Sequence, residues 1–341
     1  MPTAREKGIH IGKMPTGPRN LITDVPGVTV GHVTITEGAH NTGVTVIMPC
    51  QDNPFASKLT AAQHVLNGFG KTAGLMQIEE LGTLETPIAL TNTLNVGLVH
   101  DAMVGYMIDR CEKDGVALRS VNPVVCECND ASLNDILQRA VRKEHVQQAI
   151  ASACADFAQG AVGAGRGMTC HGLKGGIGSA SRTMEMDGQS FTLGVLVLSN
   201  HGSLSDLTIQ GDHIGPGIQK TIEEALPDKG SCIVIMATDL PVNDRQIRRI
   251  IRRAGVGLAR LGSFIGHGSG EVFLGFTTAN RVPHNAQTDL IPMTVLHEDR
   301  MDTAFRAMAE ATEEAVLNSM LMAETVCSVK GTVRRSLAEF V

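Results

Sequence analysis

The most reactive arrangement in the sequence is Gly230-Ser231-Cys232-Ile233-Val234-Ile235-Met236-Ala237-Thr238-Asp239. A polar, turn-rich segment ends at Gly230. A hydroxyl follows at Ser231, and Cys232 to Ala237 reads as a short buried strand. Were the Gly230–Ser231 bond cut, Ser231 would become an N-terminus and its α-amine could take the proton from its own hydroxyl. Such an amine is a known activator of a weak hydroxyl nucleophile. It also titrates near neutrality, which suits a general base. Two other readings stay open on these residues alone. Gly-Ser before an apolar run also makes an ordinary turn. A cut one residue later would expose Cys232, an intrinsically stronger nucleophile. Neighbouring strand residues face opposite ways, so only one of Ser231 and Cys232 can face a site.

The elements that must position this stretch follow from periodicity. Val28 to Ile35 and Gly43 to Met48 read as strands of an antiparallel meander. Asn67-Gly68-Phe69-Gly70 breaks the run that begins at Thr60, and Leu75 to Leu81 is a short helix ended by Gly82. Pro87 to Thr93 and Val121 to Cys126 are strands, with an amphipathic helix over Asn95 to Glu112 between them. Lys143 to Phe157 reads as a helix. Eight glycines fall between Gly160 and Gly178. Their spacing resembles a dinucleotide loop, but a helix precedes it and a Ser/Thr/Arg run follows, so tight turns between strands are expected instead. Gln189 to Ser199 is a strong strand, and residues 201–230 read as a long polar connector open to cutting. Asn243 to Leu261 reads as one helix capped by Asn243 or Asp244, Val272 to Phe276 as a strand, and 300–325 as a long helix. Arg245, Arg248, Arg249, Arg252 and Arg253 lie on the outer face of the 243–261 helix and are expected to pair with acids. Strands lead, helices intervene and strands return, which suits two sheets packed face to face with helices outside.

Composition excludes several functions. The chain has 341 residues, a net charge of -6, no Trp and 3% aromatics. Nucleic-acid backbones and base-stacking platforms are therefore not expected partners. The eight cysteines lack paired CxxC spacing, so no zinc site is expected, and they read as small buried hydrophobes in a reducing compartment; a serine activated by its own amine requires no metal or organic cofactor. Met1 to Lys13 lacks an apolar signal region, and no run is long enough to span a membrane. A cytoplasmic protein is expected.

Seven stretches, in order along nearly the whole chain, carry a resemblance: Gly17 to Val28, Thr86 to Thr93, Leu133-Asn134-Asp135, Lys174 to Gly178, Gly230-Ser231, Ala237-Thr238-Asp239 and Gly268-Ser269-Gly270-Glu271. On them the chain resembles the DmpA-like family of L-aminopeptidase/D-esterases and β-peptidyl aminopeptidases. The resemblance implies an α+β fold: a four-layer αββα sandwich, Ntn-hydrolase-like, with the connectivity shared with ornithine acetyltransferases. It implies a single domain that cuts itself between Gly230 and Ser231 into chains 1–230 and 231–341. Ser231 would be the nucleophile, favoured over Cys232, and Asn200 the oxyanion donor. Ser269 and Glu271 would stand beside the nucleophile, sharing one face of an extended chain. Asn129 falls where some members carry an oxyanion-supporting Tyr, and Lys71 replaces the acid expected to help bind a substrate amine. His201 and His267 read as loop histidines, and no GxSxG elbow supports a Ser-His-Asp triad. The implied activity is release of N-terminal residues from short peptides, amides or esters through an acyl-enzyme, by a homo-oligomer such as a tetramer of processed pairs. Acyl transfer to an amine and an uncleaved binding scaffold are the alternatives.

Overall fold

The computed structural model describes residues 1–222 and 230–341. In chain order the strands are β1 (Thr29–Ile35), β2 (Thr42–Met48), β3 (Ser57–Gly68), β4 (Thr83–Leu84), β5 (Ile88–Asn92), β6 (Val124–Cys128), β7 (Thr169–Cys170), β8 (Leu173–Lys174), β9 (Gly176–Met186), β10 (Gln189–Asn200), β11 (Thr208–Ile209), β12 (Asp212–His213), β13 (Ser231–Thr238), β14 (Gly270–Pro283), β15 (Val326–Cys327) and β16 (Val333–Arg334). The helices are α1 (Leu75–Leu81), α2 (Val96–Lys113), α3 (Lys143–Ala151), α4 (Gly215–Ile222), α5 (Asp244–Ile251), α6 (Ala254–Arg260) and α7 (Met301–Leu321).

Two sheets stack face to face. One has the order β1-β2-β5-β6, and the other β4-β3-β14-β13-β10-β9. Strand alternation builds the layers. Ile233, Ile235 and Ala237 of β13 join Leu196 and Leu198 of β10 in the core between the sheets, with Ile47, Ile88 and Leu90 from the other sheet. Cys232, Val234 and Met236 point the other way, into a core shared with α5, α6 and α7. Helices α2 and α3 cover the outer face of the four-stranded sheet around Val44, Val46 and Val125. The result is the expected αββα sandwich. Both parallel pairs, β5 with β6 and β13 with β14, are joined by helical crossovers through α2 and through α5–α6.

Several expected elements change on folding. The opening meander stops after the β1–β2 hairpin, because β3 leaves to pair with β14 in the other sheet. Helix α3 ends at Ala151 rather than Phe157: the chain is drawn off to β1, where Cys154 and Val30 exchange backbone hydrogen bonds. The single helix expected over 243–261 is two. Asn243 caps α5 as expected, accepting from Gln246 N at 2.9 Å. At the break, Arg253 N–H bonds Ile250 O, while its guanidinium donates to Arg249 O at 2.7 Å and stacks 3.7 Å from the Phe305 ring. The polar connector carries α4 and the β11–β12 ribbon as far as Ile222, and its residues 223–229 lie outside the described residues. The Gly160–Gly178 region makes tight turns around the β7–β8 hairpin, as expected. The arginine face pairs with acids: Arg245 and Arg249 with Glu298, and Arg248 with Glu79. Among the described residues, no helix is long and apolar enough to cross a membrane.

A buried ionic cluster ties the N-terminal segment to α7. Arg182 is fully buried and donates to Glu314 at 2.6 Å, to Glu310 at 3.3 Å and to Ile11 O at 2.9 Å. Removing one partner of such a cluster strands the other charges. Arg182→Met should therefore lower the free energy of unfolding by about 3–5 kcal/mol, read by urea denaturation. A loss under about 1 kcal/mol would show that the two carboxylates find other partners.

Candidate active site

The site forms where three strand ends meet. Asn200, the last residue of β10, is paired with Ser231, the first of β13, and Ser231 is paired with Gly270, the first of β14. Ser231 is 6% exposed, at the wall of a cavity of about 510 Å³. Asn129, Asn200, Gly230 and Ser231, all singled out in the sequence, line that cavity together. Cys232 does not line it: its side chain turns into the helix-side core, and burial pushes its thiol well above the usual range.

Backbone packing holds the junction. A side chain at Gly230 would collide with the Asn200 carbonyl, since a Cβ there would lie 1.7 Å from its oxygen. At Gly270 a Cβ would lie 2.7 Å from Phe69 O and 3.2 Å from Ser231 Oγ. Glycine at both places lets the three strand ends close around the hydroxyl. Gly270 N–H donates to Gly230 O at 3.1 Å, and Cys128 Sγ–H to Ser231 O at 3.4 Å.

The Asn200 amide is held by both ends. Its Oδ1 accepts from Thr169 N–H at 2.8 Å, and its Nδ2 donates to Asn129 O at 3.0 Å. The oxygen is taken by a backbone donor, and the amide nitrogen carries a second N–H besides the one given to Asn129 O. The Asn129 side chain accepts from Ala131 N–H at 3.0 Å, so it closes its own turn. Ser269 and Glu271 flank Gly270 and are buried, and Ser269 Oγ–H donates to Glu271 Oε1. Neither lines the cavity, whose wall holds Gly268 instead.

The sequence reading missed an acid here. Glu127, near the end of β6, is buried at the cavity wall. It accepts from Lys71 N–H at 2.9 Å through Oε1 and from Thr93 Oγ through Oε2. Lys71 also lines the cavity, but its ammonium sits 4.6 Å from the Phe69 ring centroid. A carboxylate on a five-residue buried strand was the available signal for Glu127. Arg334, from the far C-terminal end, lines the cavity too and donates to Ser132 Oγ at 3.3 Å. His201 follows the end of β10 in a loop, as expected, but it is buried at the cavity wall, and burial, with His171 beside it, pushes its imidazole down to about 3.

A cavity lined by the Ser231 hydroxyl, the Asn200 amide and the buried Glu127 carboxylate, with Lys71 and Arg334 also on its wall, suits nucleophilic attack on an amide. Known proteins agree with that chemistry. The family described as peptidase family S58 matches residues 20–334. The β-peptidyl aminopeptidase BapA of Sphingosinicella microcystinivorans is 37% identical over 359 aligned positions, covering 98% of this chain and 89% of that protein. A solved protein of Pyrococcus horikoshii OT3 superposes with a TM-score of 0.93 at 46% identity, covering 98% of this chain and 96% of its own. The L-aminopeptidase D-Ala-esterase/amidase of Ochrobactrum anthropi, described as a variant among the Ntn hydrolase fold, superposes with a TM-score of 0.92 at 34% identity over 99% of this chain and 96% of its own.

Proposed function

The chain belongs to peptidase family S58 and is an aminopeptidase-type hydrolase of Ntn-like fold, and on that premise we propose that Ser231 is its nucleophile, freed when the Gly230–Ser231 bond is cut within the folded chain. The products are chains 1–230 and 231–341, which stay together as one αββα domain. The observation that carries this reading is the register of Asn200, Ser231 and Gly270 across three adjacent strand ends, with Asn200 and Ser231 at the cavity wall.

In processing, Ser231 Oγ attacks the Gly230 carbonyl, whose oxygen already accepts the Gly270 N–H. The acyl group moves from nitrogen to oxygen, and water then hydrolyses the ester. Gly230 leaves as a carboxylate and Ser231 keeps a free α-amine. In turnover that amine takes the hydroxyl proton as Oγ attacks the substrate carbonyl. Asn200 Nδ2 donates to the oxyanion. The proton passes to the leaving amine, and water releases the acyl group. Ser269 and Glu271, flanking Gly270 and bonded to each other, support the new ammonium. The family and its aminopeptidase relatives favour hydrolysis over amine acyl transfer or a non-catalytic scaffold.

Glu127 supplies the anchor for the substrate's free amine, the role left open by Lys71. A carboxylate held by two donors keeps a lone pair for an ammonium, and losing such a charged contact is worth about 1.5–3 kcal/mol. Glu127→Gln should raise KM for a free-amine substrate about 10–100-fold with a smaller change in kcat. It should also erase discrimination against the N-acetylated substrate. A variant that still rejects the acetylated form as the native enzyme does would remove Glu127 from this role.

The same reading makes the enzyme a cytoplasmic homo-oligomer. Leu290, Ile291, Met293 and Val295 form an exposed apolar segment that supports a subunit contact. Denaturing mass analysis tests processing directly: masses for 1–230 and 231–341 are expected. A single full-length mass in active protein would refute the scheme. Products formed with and without an amine acceptor separate hydrolysis from transfer.

A further inference from the structure

Beside the cavity, three side chains not used in the chemistry above converge. Cys170, His171 and His201 are buried, and their possible ligand atoms all lie within 4.8 Å of one another. Cys170 Sγ is 4.0 Å from His201 Nδ1. The geometry points to a binding site for one borderline-soft divalent cation, of the zinc type, held by Cys170, His171 and His201, with its fourth position toward the catalytic cavity.

The backbone is shaped to hold this trio. His171 and Gly172 form the two-residue turn of the β7–β8 hairpin, and His171 adopts φ 46°, a left-handed conformation uncommon for a side-chain-bearing residue. Its N–H bonds His201 O at 2.7 Å, which ties the hairpin to the end of β10. Its Nδ1 is 3.0 Å from Ser203 O, and a donor bond there puts the lone pair on Nε2. The ring rests against Gly202, where a Cβ would approach it to 2.5 Å. His201 Nε2 is buried and has no hydrogen-bond partner among the described residues.

Ligand chemistry and spacing agree. Zinc takes thiolate and imidazole ligands at about 2.3 and 2.0 Å, which sets tetrahedral ligand atoms about 3.4–3.6 Å apart. Side-chain rotation of about an ångström closes the trio on an ion of that size. On binding, Cys170 Sγ–H gives its proton to water and the sulfur lone pair bonds the ion. Three protein ligands leave one position open. His201 and Gly202 line the cavity beside Ser231, so that position faces the substrate space. A bound ion there should inhibit turnover reversibly. The spacing along the chain hides this site, because Cys170 and His201 are 31 positions apart and meet only through the sheet.

Cobalt(II) and zinc(II) are the probes. The exposed thiols are first removed as Cys154→Ser and Cys327→Ser, so that no surface sulfur competes. Chelator-treated protein should then bind one cobalt ion per chain, with a thiolate-to-cobalt charge-transfer band that zinc abolishes. Cys170→Ser should remove the band, and His201→Gln should weaken binding roughly tenfold or more. X-ray absorption of the zinc-loaded parent should give one sulfur and two imidazole nitrogens, which needs no substitution at a buried residue. Absence of the band, its persistence in Cys170→Ser, or a zinc shell without sulfur would each overturn the site. These readouts do not depend on which residue is the nucleophile.

Discussion

Ser231→Ala should remain a single 341-residue chain and lose at least about 10⁴-fold in kcat/KM. Both losses have one cause. Alanine has no oxygen to attack the Gly230 carbonyl, so no α-amine is released, and none to attack a substrate, so no acyl-enzyme forms. The fold should survive. Ser231 is the first residue of β13, and its pairing with Asn200 and Gly270 is made by backbone groups. An unchanged thermal transition of the unprocessed variant would separate lost chemistry from lost structure. Separate expression of residues 1–230 and 231–341 carries the test further. Reassembled chains should regain turnover when the second begins with Ser231, and none when it begins with alanine. Normal cutting and turnover by Ser231→Ala would eliminate Ser231 as the nucleophile.

Asn200→Ala should lower kcat by about 10²–10³-fold with KM nearly unchanged, the signature of a donor needed chiefly in the transition state. Processing should slow as well, because the same oxyanion forms at Gly230. The substitution also removes the acceptor of Thr169 N–H, so alanine alone confuses catalysis with the packing of that turn. Asn200→Asp separates them: it keeps an oxygen for Thr169 N–H and replaces the donor by an acceptor. If the amide nitrogen holds the oxyanion, aspartate should be at least as damaging as alanine. Recovery of most activity in the aspartate variant would make Asn200 a turn residue only.

The legible parts of this protein were those whose cause is local. Alternation made β10 and β13 readable, since Leu196 and Leu198 face one core and Val195 and Val197 the other. Gly82 ends α1 with a left-handed residue, as its place in the sequence suggests. The boundaries that moved were set from a distance. Helix α3 stops early because β1 takes its next backbone groups, and the 243–261 helix breaks where Arg253 stacks on Phe305 of α7. Ser269 and Glu271 are two apart and hydrogen-bonded to each other, but strand spacing alone could not show that neither lines the cavity.

What the amino-acid order determined by itself was the Gly230-Ser231 junction, the strand that follows it, and an apolar pattern suited to two stacked sheets. Those features depend on side-chain type and short-range periodicity. Only the tertiary structure decided which distant residues face Ser231. Glu127 reaches the cavity because β6 lies parallel to β5 in the opposite sheet, and Cys170 reaches His201 because a hairpin is bonded to the end of β10. Hydrogen-bond register between strands far apart in the chain sets these meetings, and no local spacing encodes that register.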